Sequence, residues 1–162
     1  MSDDRRIELK NELDGYWEYE CKVSSAILFD NDETSRGGQI HMMVDVHKFG
    51  VSARLEAKRL WFVTEQKDEV RKTWLPKPVP WESEGGVVIS DGSFWFQYRS
   101  TDQHGLTQDR FRLNETLELG DGTFTHFRSD GKMVTGTVTL KKLPDGPGNF
   151  TMSPPLSEKP YS

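Results

Sequence analysis

The chain holds one cysteine, Cys21, in 162 residues, so no disulfide can form within it. It has no run approaching the roughly 20 apolar residues that cross a bilayer as a helix. Its first ten residues are mostly charged and lack the apolar centre of a secretory signal. These absences lead us to expect a reducing, cytoplasmic setting and no membrane insertion. Hydrophobic residues are sparse, at 34%, beside 29% charged residues. Basic charge is in deficit too: 21 Lys and Arg face 26 Asp and Glu, and a net charge of −5 offers no overall field for polymeric nucleic acid. A pocket for one small anion needs only two or three well-placed cations and stays open to such a chain. Phosphate-cradling loops are absent, because Gly37-Gly38 and Gly85-Gly86 do not lead into helices. No cofactor is implied.

What the chain does have is aromatic: five Trp, nine Phe and four Tyr, a stock that disordered chains lack. The length fits one domain with its own core. We read 1–142 as a single β-barrel domain and 143–162, with five prolines, as a flexible tail. Residues 2–12 read as a short helix capped by Ser2 or Asp3, on which Leu9 and Leu13 share a face and Ile7 does not. Such a helix suits the mouth of a barrel.

From Trp17 the pattern turns to period two. Trp17, Tyr19, Cys21 and Val23 alternate with Glu18, Glu20 and Lys22, a half-buried strand. Ile40, Met42, Val44 and Val46 alternate likewise, then Val51, Ala53, Leu55 and Ala57 after a turn at Phe49-Gly50. Continued without a bulge near Leu60, that face brings Arg59, Trp61 and Val63 inward. Residues 68–72 are charged, and three prolines stand between Trp74 and Trp81, which forbids a central strand and predicts an extended connection anchored by the two indoles. Asp91-Gly92, Asn114-Glu115, Asp121-Gly122 and Asp130-Gly131 punctuate apolar runs at 87–89, 94–98, 106–113, 116–119, 123–128 and 133–142, the grammar of antiparallel hairpins. The fold class expected is all-β: an up-and-down antiparallel barrel of about eight to ten strands. No long amphipathic helix is available to cover an open sheet, which is why the sheet should close on itself. A two-sheet sandwich is the alternative.

Leu13-Asp14-Gly15-Tyr16-Trp17, a Gly-x-Trp at the start of the first strand, resembles the calycin barrels, the lipocalins and avidins. That resemblance implies a Trp plugging the closed end under a basic side chain of the last strand, here Lys141 or Lys142. Gly37-Gly38 and Arg59-Leu60-Trp61 more faintly resemble the cyclic-nucleotide-sensing β-barrel domains of bacterial antiphage effectors. Those receptors are usually fused to membrane helices.

No catalytic motif emerges. His41 and His47 are about 20 Å apart along a strand and cannot share a metal. Asp45 and His47 are close, but the spacing of a known zinc motif is missing, and solvent-facing side chains are the ordinary reading. Cys21 reads as a small core residue and Glu18 with Glu20 as a solvated edge. Trp17, Tyr19, Trp61, Phe94, Phe96, Tyr98, Phe111 and Phe127 are expected inside, and no carboxylate stands out beside them. Arg59, with Arg110 and Arg112 one register away, is costly to bury without a counter-charge. Arginine with Trp and Tyr also stacks on a nucleobase and grips a phosphate. The site expected is therefore a ligand-binding one made by Arg59, Trp61, Trp95, Tyr98, Arg110 and Tyr19, taking a small molecule such as a cyclic nucleotide or another phosphorylated aromatic compound. The alternatives are a barrel enzyme of the cyclase or isomerase kind and an interaction scaffold using the Trp74–Trp81 loop. A homodimer is compatible with any of these.

Overall fold

The computed structural model describes residues 2–48, 50–76, 81–88, 93–100, 105–146 and 158–160, with backbone only for 81–88, 93–100 and 158–160. A helix, α1 (Asp3–Leu13), precedes β1 (Gly15–Val23), β2 (Glu33–Val46), β3 (Val51–Gln66), β4 (Glu69–Trp74), β5 (Trp81–Val88), β6 (Ser93–Ser100), β7 (Leu106–Leu113), β8 (Leu119–Phe127), β9 (Met133–Leu143) and β10 (Glu158–Pro160). The strands form one sheet in the order β10-β4-β3-β2-β1-β9-β8-β7-β6-β5. All its ladders are antiparallel except the short parallel one between β10 and β4. β5 also pairs with β3, at Val51↔Val88, Ser52↔Val87 and Glu56↔Glu82. No helix among the described residues is long and apolar enough to cross a membrane.

One face of this sheet is the core. Trp17, Tyr19 and Cys21 of β1 lie opposite Ile40, Gly38 and Arg36 of β2 and opposite Lys142, Leu140 and Val138 of β9. Met42, Val44, Ala53, Leu55, Phe111, Leu113, Phe124 and Val134 complete it, all buried. Val46 and Phe127, both expected inside, are instead exposed; Phe124 takes the inward place on β8 because its even-numbered residues face the core.

Helix α1 packs against β2 and β3. Ser2 caps it by accepting from the Arg5 N–H at 3.2 Å, and Asp3 and Asp4 sit in the first turn, where carboxylates suit the helix dipole. Leu9 and Leu13 are fully buried and Ile7 is exposed, as their angular spacing requires. The Trp17 indole donates to the Leu13 carbonyl at 2.9 Å. Asp14 accepts from the Val44 N–H at 2.6 Å, and Lys10 reaches the Val44 carbonyl at 2.8 Å. Lys142 stands opposite Trp17 in the ladder, yet its ammonium reaches the Glu12 carbonyl at the helix's C-terminal end.

Two turns differ from the sequence reading. Lys67 and Asp68 both take left-handed φ, 43° and 68°, and make a tight hairpin, so the charged stretch after them is β4 rather than loop. Asp121-Gly122 does not turn the chain; it lies inside β8, where a Cβ at 122 would strike the Arg110 carbonyl. The chain turns instead at Asn114-Glu115, as expected: Asn114 accepts from the N–H groups of Glu118 and Leu119, at 3.0 and 3.1 Å, and no separate strand forms over 116–119. Asp130-Gly131 does turn the chain, with Gly131 at φ 86°. Asp91-Gly92, Phe49, residues 77–80 of the proline-rich connection and most of the expected tail lie outside the described residues.

Candidate functional site

The core face has two halves of different chemistry. Toward α1 it is apolar, with Trp17, Ile40, Met42, Val44, Leu55, Leu113 and Leu140. Toward the other end it carries polar groups that side-chain burial makes expensive. Tyr19 and Asp109 are 4% and 0% exposed, and the phenol donates to Asp109 Oδ2 at 3.3 Å. Thr107 and His126, both buried, share a hydrogen bond of 2.6 Å between Oγ1 and Nδ1. Cys21 lies between them and β2; burial pushes its thiol up to about 12, and the Asp109 charge adds to that rise. A neutral, inert thiol follows.

These residues arrive on one face through ladder parity. Thr107 and Asp109 alternate with Phe111 and Leu113 along β7, and Thr107 pairs with His126 while Asp109 pairs with Phe124 on β8. Residues 24–32 cover this half. Phe29, 2% exposed, stacks on Phe124 with ring centroids 5.4 Å apart and meets His126 edge-on at 5.3 Å. The Arg36 guanidinium sits 4.1 Å from the Phe29 centroid and pairs with the buried Glu33 at 2.9 Å.

The residues expected to form the site divide between two faces. Tyr19 is on the core face, as expected. Arg59 and Trp61 are not, although Trp61 is buried, at 7% exposed, on the opposite face. Adjacent Gln39 and Ile40 pair with Arg59 and Ala57, so Lys58 is an extra residue in β3 and the inward parity passes from odd to even numbers beyond it. Trp61 then faces Gly37, whose missing side chain makes room for the indole, and pairs with Trp74 on β4. On that outer face the Arg59 guanidinium lies 3.9 Å from the Trp74 centroid, and the Lys72 ammonium is 4.5 Å from Trp61 and 5.1 Å from Trp74. Arg110 is exposed, since β7 turns Asp109 inward in its place, and Arg112 is exposed with it. Trp95 pairs with Arg110 and Tyr98 with Thr107, but their side chains, with those of Phe94 and Phe96, lie outside the described residues.

Of the histidines, His41 stacks on Tyr16 at 4.7 Å and His47 hydrogen-bonds Ser52 at 2.6 Å. His126, which sequence reasoning passed over, is buried. Asp109 was missed as well. In Thr107-Gln108-Asp109-Arg110 both alternating sets are polar, and only the apolar Phe111 and Leu113 beyond them mark the odd numbers as the inward set.

No family model matches the chain, and no curated protein matches it significantly.

Proposed function

We propose that the chain is a small-molecule-binding β-barrel whose ligand seats in the polar half of the core face, against Tyr19, Asp109 and His126. Closure of the sheet belongs to this proposal and is supported by the β3–β5 ladder, which joins the third strand to the far end of the meander. The observation that carries the reading is the buried Tyr19–Asp109 pair. A core that only has to hold a fold gains little from a buried carboxylate, because an apolar residue of similar volume would hold it as well or better. A site that must orient a ligand needs a few such groups among apolar walls.

The ligand's chemistry follows from the charge on offer. Arg59 and Arg110, which suggested a phosphate, stand on the outer side, and Arg36, which faces the core, is already engaged by Glu33. Asp109 instead favours a ligand that donates hydrogen bonds or carries positive charge. Thermal unfolding against amino-substituted aromatics, nucleotides, cyclic dinucleotides, haem and fatty acids tests this. A ligand at about 100 times its Kd adds roughly 2.7 kcal/mol. We expect the amino-aromatic class to raise the Tm and Asp109→Asn to abolish the rise. A rise with phosphorylated compounds that survives Asp109→Asn would move the site to the arginines, and silence across the panel would sink the proposal.

A second reading has one observation in its favour. A buried acid hydrogen-bonded to a phenol, with a buried imidazole on the same half of the core face, is also the equipment of general acid–base catalysis, as an isomerase or cyclase would need. Turnover of a bound ligand, lost in Asp109→Asn while binding of a neutral analogue persists, would establish it.

A further inference from the structure

The segment over the polar half is held in an unusual way. It comes from no strand, and its contact with the core is concentrated in Phe29. Ser24, Ala26 and Ile27 are exposed, and Leu28 and Asp30 are only half-buried. Its remaining ties are polar and peripheral. Arg128 donates to the Leu28 carbonyl at 3.0 Å, pairs with Asp30 at 3.3 Å and anchors to Asp130 at 2.8 Å. Ser24 and Ser25 donate backbone N–H groups to the Thr135 carbonyl at 2.9 and 3.2 Å, and an isolated bridge joins Phe29 to Glu33. Asn31 and Asp32 are both left-handed, each at φ 60°, a conformation that non-glycine residues hold at some cost and that readily serves a hinge.

The surroundings of the Phe29 ring are those of a flat aromatic ligand. One aromatic ring stacks on it, an imidazole meets its edge, and a guanidinium covers it. Thr107 is bonded to that imidazole, and the Tyr19–Asp109 pair lies on the same half of the core face, offering hydrogen-bond partners that a phenylalanine cannot use.

We propose that residues 24–32 are a gate latched by Arg128, and that Phe29 is its plug, occupying the seat that a ligand's amino-substituted aromatic ring takes when the gate opens. What enters rests on the ligand-binding reading above; that the gate opens does not, and is tested without a ligand.

Cys21 is the built-in reporter, a buried thiol on the same half of the core face. Alkylation of the full chain by N-ethylmaleimide, followed by mass spectrometry in native buffer, reads how often that half is exposed. With a local gate, alkylation of the wild type is nearly independent of low urea. Arg128→Met, which keeps the aliphatic stem, then speeds it about tenfold with the same flat dependence on low urea, while global stability falls by no more than that same factor. Alkylation that follows the full urea dependence of global unfolding in both chains overturns the gate. For the seat, 2-aminobenzimidazole is the probe. At about four times its Kd it should slow Cys21 alkylation roughly fivefold in Phe29→Ala, and less in the wild type, where the plug competes. Absence of protection in a folded Phe29→Ala overturns the seat; Phe29→Leu, which keeps apolar bulk without the ring, replaces it if the alanine chain does not fold. Acceleration in Arg128→Met with no response to any ligand overturns the ligand reading and leaves the gate. Failure of acceleration removes the gate whatever the ligands do.

Discussion

At Cys21 the physics of burial becomes a pH dependence. The folded thiol keeps its proton up to about 12, because burial and the Asp109 charge both disfavour the thiolate. In the unfolded chain the same thiol loses it near pH 8.5, an approximate value for an unperturbed cysteine. Between those limits the folded state binds more protons than the unfolded state, so stability falls as pH rises. The slope approaches about 1.4 kcal/mol per pH unit. Other groups titrate in that range, and the comparison with Cys21→Ala isolates this one. We expect the urea midpoint of the wild type to drop more between about pH 8 and about pH 10 than that of the variant. Equal drops would show that the thiol is not held neutral by the fold. Asp130 shows the opposite sense at the latch. The Lys132 N–H, and then the nearby Arg128 and Lys132 charges, hold its carboxyl below the usual range, so the Arg128 anchor survives mild acid.

At the scale of elements, α1 belongs to the fold through two side chains. Leu9 is fully buried and Ile7 is 54% exposed. Leu9→Ala should cost about 2–5 kcal/mol in urea unfolding, and Ile7→Ala within about 0.5 kcal/mol of nothing. Similar losses at both positions would mean that the helix is not seated by its Leu9–Leu13 edge. That edge was legible in the sequence, as was β1, because Trp17, Tyr19 and Cys21 alternate cleanly with charged residues. β4 was hidden: Glu69-Val70-Arg71-Lys72 has no apolar face, and its strand state comes from pairing with β3 rather than from its own pattern. The candidate site was half legible. Tyr19 followed from its alternation, whereas Arg59 and Trp61 were placed on the wrong side by a single extra residue, Lys58. Asp109 and His126 left no hydrophobic signature of their own. A buried polar residue looks, in one sequence, like an exposed one.

At the scale of the whole molecule, the longest-range pairing is made late in the chain. The ladder between β1 and β9 joins Tyr16 to Leu143 and Val23 to Gly136, so the first strand completes its pairing only after the ninth is made. Non-local pairings of this kind must meet their loop-closure entropy before any contact rewards it. Stopped-flow refolding from urea should accordingly lie in the range of about milliseconds to seconds, typical of non-local β topologies. Microsecond refolding would indicate that the β1–β9 ladder is not part of the cooperative unit.

The extra residue at Lys58 also sets which genetic changes the chain can absorb. A strand reads its residues in twos, as a gene reads bases in threes, and an insertion or deletion shifts the phase of all that follows. Losing the codon for Lys58 would remove only the unpaired residue: Ala57 and Arg59 would become neighbours opposite Ile40 and Gln39, and Arg59, Leu60, Trp61 and Phe62 would keep their faces. With that slack gone, a second missing codon, such as that of Leu60, would turn Trp61 toward the core and Phe62 toward water. The bulge is thus one codon of tolerance written into the strand, of the kind that an exposed, unpaired loop position such as Ala26 has in any case.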